Sequence, residues 1–210
     1  MPKSAAKFAM AFVDGQNLFQ HAKDAFGYHH PNYDPVKLHK AVCAHHGWVP
    51  NLVRFYSGVP SEADEPMWGR YWAKRKLMME RAGIKVTTRP LRYREREVFD
   101  ENGNVKKLRV PQEKGIDTRI VVDVLSTARK REWDVAVIFS QDQDLAELVP
   151  EVAEIGNEQG RELLICCAFP SSPHATARRG IDKTMWFRMD RAFYDACLDP
   201  ADYRPRSAAP

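Results

Sequence analysis

The chain has 210 residues, is 44% hydrophobic and carries a formal net charge of +4, enough for one good core and better suited to one domain than to two. It holds no apolar run near the ~20 residues a bilayer span needs, and residues 1–7 are too short and too little apolar for a secretory leader, so a soluble cytoplasmic protein without membrane contact is expected. Cys43, Cys166, Cys167 and Cys197 match no zinc or redox spacing and read as reduced, mostly buried thiols.

In chain order, residues 7–13 form an apolar run of strand length that stops at Asp14-Gly15, and Asn17-Leu18-Phe19-Gln20 then opens a helix. Asp34-Pro35 caps and starts a second helix, which Gly47 ends. Residues 51–58 read as the next strand. A long helix is expected over 61–81, capped by Ser61 or Asp64, with Arg70, Lys74, Arg75 and Lys76 interleaved among Trp68, Tyr71 and Trp72. Residues 84–88 make a short β-branched strand.

Residues 89–110 alternate on both sides of Asp100-Glu101-Asn102-Gly103-Asn104, the pattern of a charged β-hairpin with Asn102-Gly103 at its turn. It reads as an insertion, and its exposed edge offers a contact for a homodimer. Residues 115–130 carry Ile120, Val121, Val124 and Leu125 at helical spacing, with Asp117 in the first turn. Trp133 to Phe139 is almost wholly apolar, as in a strand covered on both faces, and is the candidate central strand. Helix is expected over 142–160 with a break near Pro150, strand over 163–168, short helices over 184–188 and 191–198, and a frayed tail over 199–210. Alternating strands and helices predict an α/β fold with a mainly parallel sheet, spanning 7–198 as a single domain.

In such a sheet ligands collect at the carboxyl ends of the strands. Asp14 ends the first strand, Asp142 and Asp144 follow the central one, and Asp117 begins the helix leading into it. Carboxylates gathered at a partly buried edge repel one another unless a cation compensates, and Mg²⁺ or Mn²⁺ suits all-oxygen donors. The 32 Lys and Arg residues concentrate at 70–109 and 178–191, away from these motifs. Basic surface around an acidic cleft suits an enzyme acting on a polyanion.

Val13-Asp14-Gly15-Gln16-Asn17, Lys114-Gly115-Ile116-Asp117 and Ser140-Gln141-Asp142-Gln143-Asp144-Leu145 together resemble the signature segments of NYN-domain proteins, a branch of the PIN-like nucleases. Leu145 stands where that family usually has Phe. The resemblance implies a Rossmann-like PIN fold and metal-dependent ribonuclease activity, with Asp14, Asp117, Asp142 and Asp144 as catalytic and metal-binding positions. Asn17, Ser140, Lys114, Arg70, Arg75 and Arg178 are the candidate substrate contacts, and single-stranded or structured RNA is the expected partner.

Simpler roles stand beside these. Asp117 and Asp144 taken singly are ordinary caps, Asp123 suits a salt bridge as well as catalysis, and the aromatic stripe from Trp68 serves a core as well as base stacking. His29-His30 reads as surface. A catalytically weak RNA-binding or regulatory module, or a metal-dependent phosphatase or DNA nuclease, are the rival functions.

Overall fold

Short, continuously apolar runs separated by helices can satisfy their backbone groups only by pairing with one another under helical cover, which yields a buried parallel sheet. The computed structural model describes residues 6–99 and 105–204. Its strands are β1 (Phe8–Asp14), β2 (Val49–Val59), β3 (Lys85–Pro90), the hairpin strands β4 (Arg92–Phe99) and β5 (Val105–Gln112), β6 (Val135–Phe139), β7 (Leu164–Pro170) and β8 (Met185–Met189). Six of these make one sheet in the order β3-β2-β1-β6-β7-β8, every neighbouring pair parallel.

Alternation along β1 divides the core into two layers. Ala9, Ala11 and Val13 join Leu18 of α1 (Gly15–Phe26) and Leu38 and Val42 of α2 (Pro35–His46). Met10 and Phe12 join Ile120 and Val124 of α4 (Ile116–Arg129) and Val152 and Ile155 of α5 (Leu148–Gln159) on the other side. The remaining helix of the first half, α3 (Pro66–Arg81), leads from β2 to β3. Among the described residues, no helix is long and apolar enough to cross a membrane.

From β1 the chain winds outward through β2 to β3, then returns to the other side of β1 and continues through β6 to β8. The order therefore reverses between β1 and β6, and the crevice at the carboxyl ends of that pair is where an open parallel sheet presents its ligand site.

Several expectations need correction. The helix expected over 184–188 is instead the strand β8: Phe187 and Met189 are buried on one face with exposed Arg188 between them, and parallel pairing with β7 fixes the extended backbone. The long helix starts at Pro66, because Ser61 and Asp64 bond each other in a preceding turn. The break in the helix after β6 lies before Pro150, where a 3₁₀ segment at Gln143–Glu147 gives way to α5. Pro150 sits in the first turn of α5, where its missing N–H has no helical partner to lose.

The last helix, α6 (Arg191–Asp195), is shorter than expected. The tail is anchored as far as residue 204, since Asn32 donates to the carbonyls of Asp199 and Ala201 and Tyr203 donates to Asp199. The expected hairpin turn at Asn102-Gly103 and the last six residues lie outside the described residues. The hairpin itself is paired from Arg92↔Gln112 to Phe99↔Val105.

Candidate metal and nucleic-acid site

Asp14 ends β1 and caps α1: its carboxylate accepts the Asn17 N–H at 3.0 Å and the Ser140 hydroxyl at 3.3 Å. The next residue cannot bear a side chain, because a Cβ on Gly15 would fall 2.3 Å from the Phe55 ring. This packing holds the strand-to-helix turn tight and leaves Asp14 only 3% exposed.

The loop after β6 brings the second group. Ser140 Oγ also accepts the N–H of Asp142 at 3.2 Å, so one hydroxyl links the ends of the two central strands. Asp142 in turn caps the 3₁₀ segment by accepting the Asp144 N–H at 3.0 Å. Asn17 ties the same loops through Oδ1, which accepts the Gln141 N–H at 2.9 Å. Asn17 Oδ1 and Ser140 Oγ, expected as substrate contacts, are thus both engaged in hydrogen bonds within the protein.

The third group comes from the start of α4. Gly115 adopts φ +75°, a conformation that favours glycine, and the Arg89 guanidinium packs against it. That turn presents Asp117 on one side and Glu113 on the other. Glu113 accepts the Gly58 N–H at the end of β2. The sequence reading did not single it out, although its place four residues before Asp117 was the available signal.

Burial dominates the electrostatics of these carboxylates, with their mutual charges as a smaller contribution. Burial pushes the Asp14 carboxyl up to about 7, with the charges of Glu113 and Asp117 adding to the rise against the Asn17 hydrogen bond. Asp117 is raised by burial and by the charges of Asp142 and Asp144. Glu113 is raised by burial, with Asp117 contributing. The four aspartates expected at the site thus lie within reach of one another's charge, and Glu113 joins them. His21 of α1 also stands within the field of Asp142, and burial holds its imidazole below its ordinary value.

Among the described residues none of the five carboxylates enters an ion pair. Nor does any group of three or more Asp, Glu, His or Cys side chains draw close enough to enclose a metal ion. The donor chemistry nevertheless fits a hard divalent cation: the groups are all oxygen, and the nearby Arg89, Arg92 and Lys114 form no salt bridge with them.

Asp123 stands apart. Although burial opposes its ionisation, hydrogen bonds from Tyr56 and Arg119 and the Arg54 charge hold its carboxyl below the ordinary value. Arg54 lies 3.1 Å away, Tyr56 donates at 2.9 Å and Arg119 at 2.6 Å, which makes Asp123 a buried structural ion-pair centre.

The basic candidates separate too. Exposed Lys114 lines a shallow recess with Arg89 and Arg92, and Arg70 is exposed on α3. Arg75 is corrected as a free phosphate contact: it is 5% exposed, and its guanidinium donates to Asn32 Oδ1 at 2.6 Å, Tyr71 OH at 3.2 Å and the Tyr33 carbonyl at 3.1 Å. Arg178 is engaged by carbonyls of its own loop, those of Pro173 at 2.7 Å and Ala175 at 3.1 Å. His30, expected at the surface, is half-buried between Phe19 and Tyr71.

No curated protein matches the chain in sequence. A crystal structure of a protein of unknown function from Vibrio parahaemolyticus shares the fold, with a TM-score of 0.53 over 94% of this chain and 99% of that one at 16% identity. The NYN domain matches residues 9–180, a span that contains all five carboxylates. By that match the chain belongs to the NYN-domain family, a PIN-like group whose members are generally nucleases.

Proposed function

We propose that this protein is a divalent-metal-dependent ribonuclease that cleaves RNA by attack of water on the phosphodiester. One observation supports the reading: Asp14 and Asp142, linked through the Ser140 hydroxyl, stand at the reversal point of the sheet, with Asp117, Asp144 and Glu113 close enough to add to the local negative charge. Asp14, Asp117 and Asp142 would hold Mg²⁺ or Mn²⁺, with Asp144 and Glu113 completing the acidic wall. When bound, such an ion activates water and neutralises charge on the phosphoryl oxygens.

The chain's own contribution is positioning. Ser140 keeps the Asp14 and Asp142 loops in register, and Asn17 pins the backbone at Gln141. Lys114, Arg89 and Arg92 supply exposed positive charge beside the start of α4, where a phosphate backbone would be attracted.

The test is incubation of the purified chain with labelled RNA, single-stranded DNA and an aryl phosphate ester, in Mn²⁺, Mg²⁺ or chelator. RNA cleavage that requires metal and disappears in Asp14→Asn supports the reading. Turnover of the ester alone would replace it with a phosphatase, and cleavage of DNA alone with a DNA nuclease. A second reading, an RNA-binding module with weak catalysis, draws on the separation of the side chains. RNA binding without cleavage in either metal would favour it.

A further inference from the structure

Next to the carboxylates lies a cavity of about 310 Å³, at the small end of the ~300–1,000 Å³ range of small-molecule sites. Aromatic rings from three separate parts of the chain line it: Phe19 of α1, His30 of the following loop, and Trp68, Tyr71 and Trp72 of α3. They meet edge to face, Trp68 with Tyr71 at 5.4 Å and 78°, Tyr71 with Trp72 at 5.6 Å and 85°, and Tyr71 with His30 at 5.8 Å and 78°. In each of these pairs one ring turns its edge to the other's face, and Trp68, at the outer end of the row, remains 36% exposed. Gln16, Gln20 and Glu65 also line the cavity, bringing amide and carboxylate groups that donate and accept hydrogen bonds.

Position narrows the occupant. Gly15, which follows Asp14, lines the cavity, as does Gly58, whose N–H is held by Glu113. Leu91 and Pro111, at the root of the hairpin, form another part of the wall. Beyond Pro90 lies the recess of Arg89, Arg92 and Lys114. An apolar aromatic cavity and a basic recess thus flank one acidic centre, matching the alternation of base and phosphate along a single nucleic-acid strand.

We propose that this cavity is a nucleobase subsite: it takes one unstacked base of a single-stranded RNA, with Trp68 as the principal stacking face and Gln16 and Gln20 at the base edge, while the adjoining phosphates run toward Arg89, Arg92 and Lys114. The inference rests on the ribonuclease reading for its choice of polymer. The cavity has room for a single base, and a base reaches such a recess only when it is free of its partner strand, so the preference is for unpaired strands. Arg75 closes the floor from behind, and burial together with Arg204 and Arg75 keeps the His30 ring below its ordinary value, which leaves it a neutral aromatic wall.

The experiment uses the full chain in EDTA, where binding is read without cleavage. Fluorescence anisotropy is measured with short labelled single-stranded RNAs, each intact or with one abasic position moved along the strand, and with a duplex of the same length. Wild type should lose about tenfold or more in affinity at one abasic position, the scale of a base stacked on an aromatic ring. Trp68→Ala should show that loss with intact RNA and no further loss with the abasic strand, whereas Trp68→Tyr should largely restore binding. Duplex binding should be the same in all three proteins.

Equal effects of Trp68→Ala on intact and abasic strands, or binding unchanged by Trp68→Ala, would overturn the subsite, even in a protein that cleaves RNA normally. Base-dependent binding in a protein that cleaves nothing would uphold the subsite and remove the ribonuclease reading instead.

Discussion

Replacing Asp14 with Asn should make the metal-free protein more stable while abolishing metal-dependent cleavage. Burial raises the Asp14 carboxyl from 3.8 to about 7. Below the lower value both folded and unfolded chains hold the proton, and the group has no effect on stability. Between the two the unfolded chain releases a proton that the folded chain keeps, so the native state weakens as pH rises, and above about 7 the loss is constant. About three pH units at about 1.36 kcal/mol each give a penalty of about 4 kcal/mol. Asn still accepts the Asn17 N–H, but as a neutral acceptor, which returns about 1 kcal/mol. The net gain of about 3 kcal/mol corresponds to a Tm rise of about 6–12 °C for a chain of this size. Thermal unfolding followed by circular dichroism in EDTA should show the variant no more stable than wild type at pH 4 and more stable by that margin at pH 8. Mn²⁺ should then narrow the gap by stabilising wild type selectively. A difference in Tm that does not change with pH, or a variant that melts lower at pH 8, would refute the argument.

Ser140→Ala removes the hydroxyl that links Asp14 to Asp142, and single-turnover RNA cleavage should slow by about five- to tenfold, the value of about one ordinary hydrogen bond. Glu113→Gln takes one charge from the acidic wall, and calorimetric titration should show Mn²⁺ affinity lower by about tenfold with the fold unchanged. Asp123→Ala should behave in the opposite sense: it leaves buried Arg54 with only the more distant Glu132 at 3.9 Å, which urea unfolding should register as a loss of about 3 kcal/mol. Cleavage per folded molecule should persist, and abolished cleavage in a stably folded Asp123 variant would return that residue to the catalytic group.

Much of the architecture was written in local pattern. The apolar runs at β1, β6 and β7 are legible because strands buried on both faces need no alternation, and helix caps at Asp34 and Gly47 follow from backbone chemistry within a few residues. The edge strand β8 was not legible. Its five residues resemble a helical turn as much as a strand until β7 offers a partner, and pairing of distant segments is not a local property. The same limit hid the fate of Arg75: its spacing on α3 matches an exposed basic face, yet Asn32, Tyr33 and Tyr71 enclose it.

From the sequence alone came the chemistry available to the site, since the aspartates, the asparagine and the serine are fixed by identity and their order along the chain matches the alternating strand and helix pattern. Tertiary structure decided which of these groups share a field and which are diverted. It added Glu113 through the turn at Gly115, assigned Asp123 to Arg54, and folded Phe19, His30 and Trp68 around one cavity beside the carboxylates. The physical reason is range: propensity and capping act within a turn or two of the chain, whereas carboxylate repulsion, buried ion pairs and aromatic contacts depend on distances that exist only once the sheet has ordered its strands.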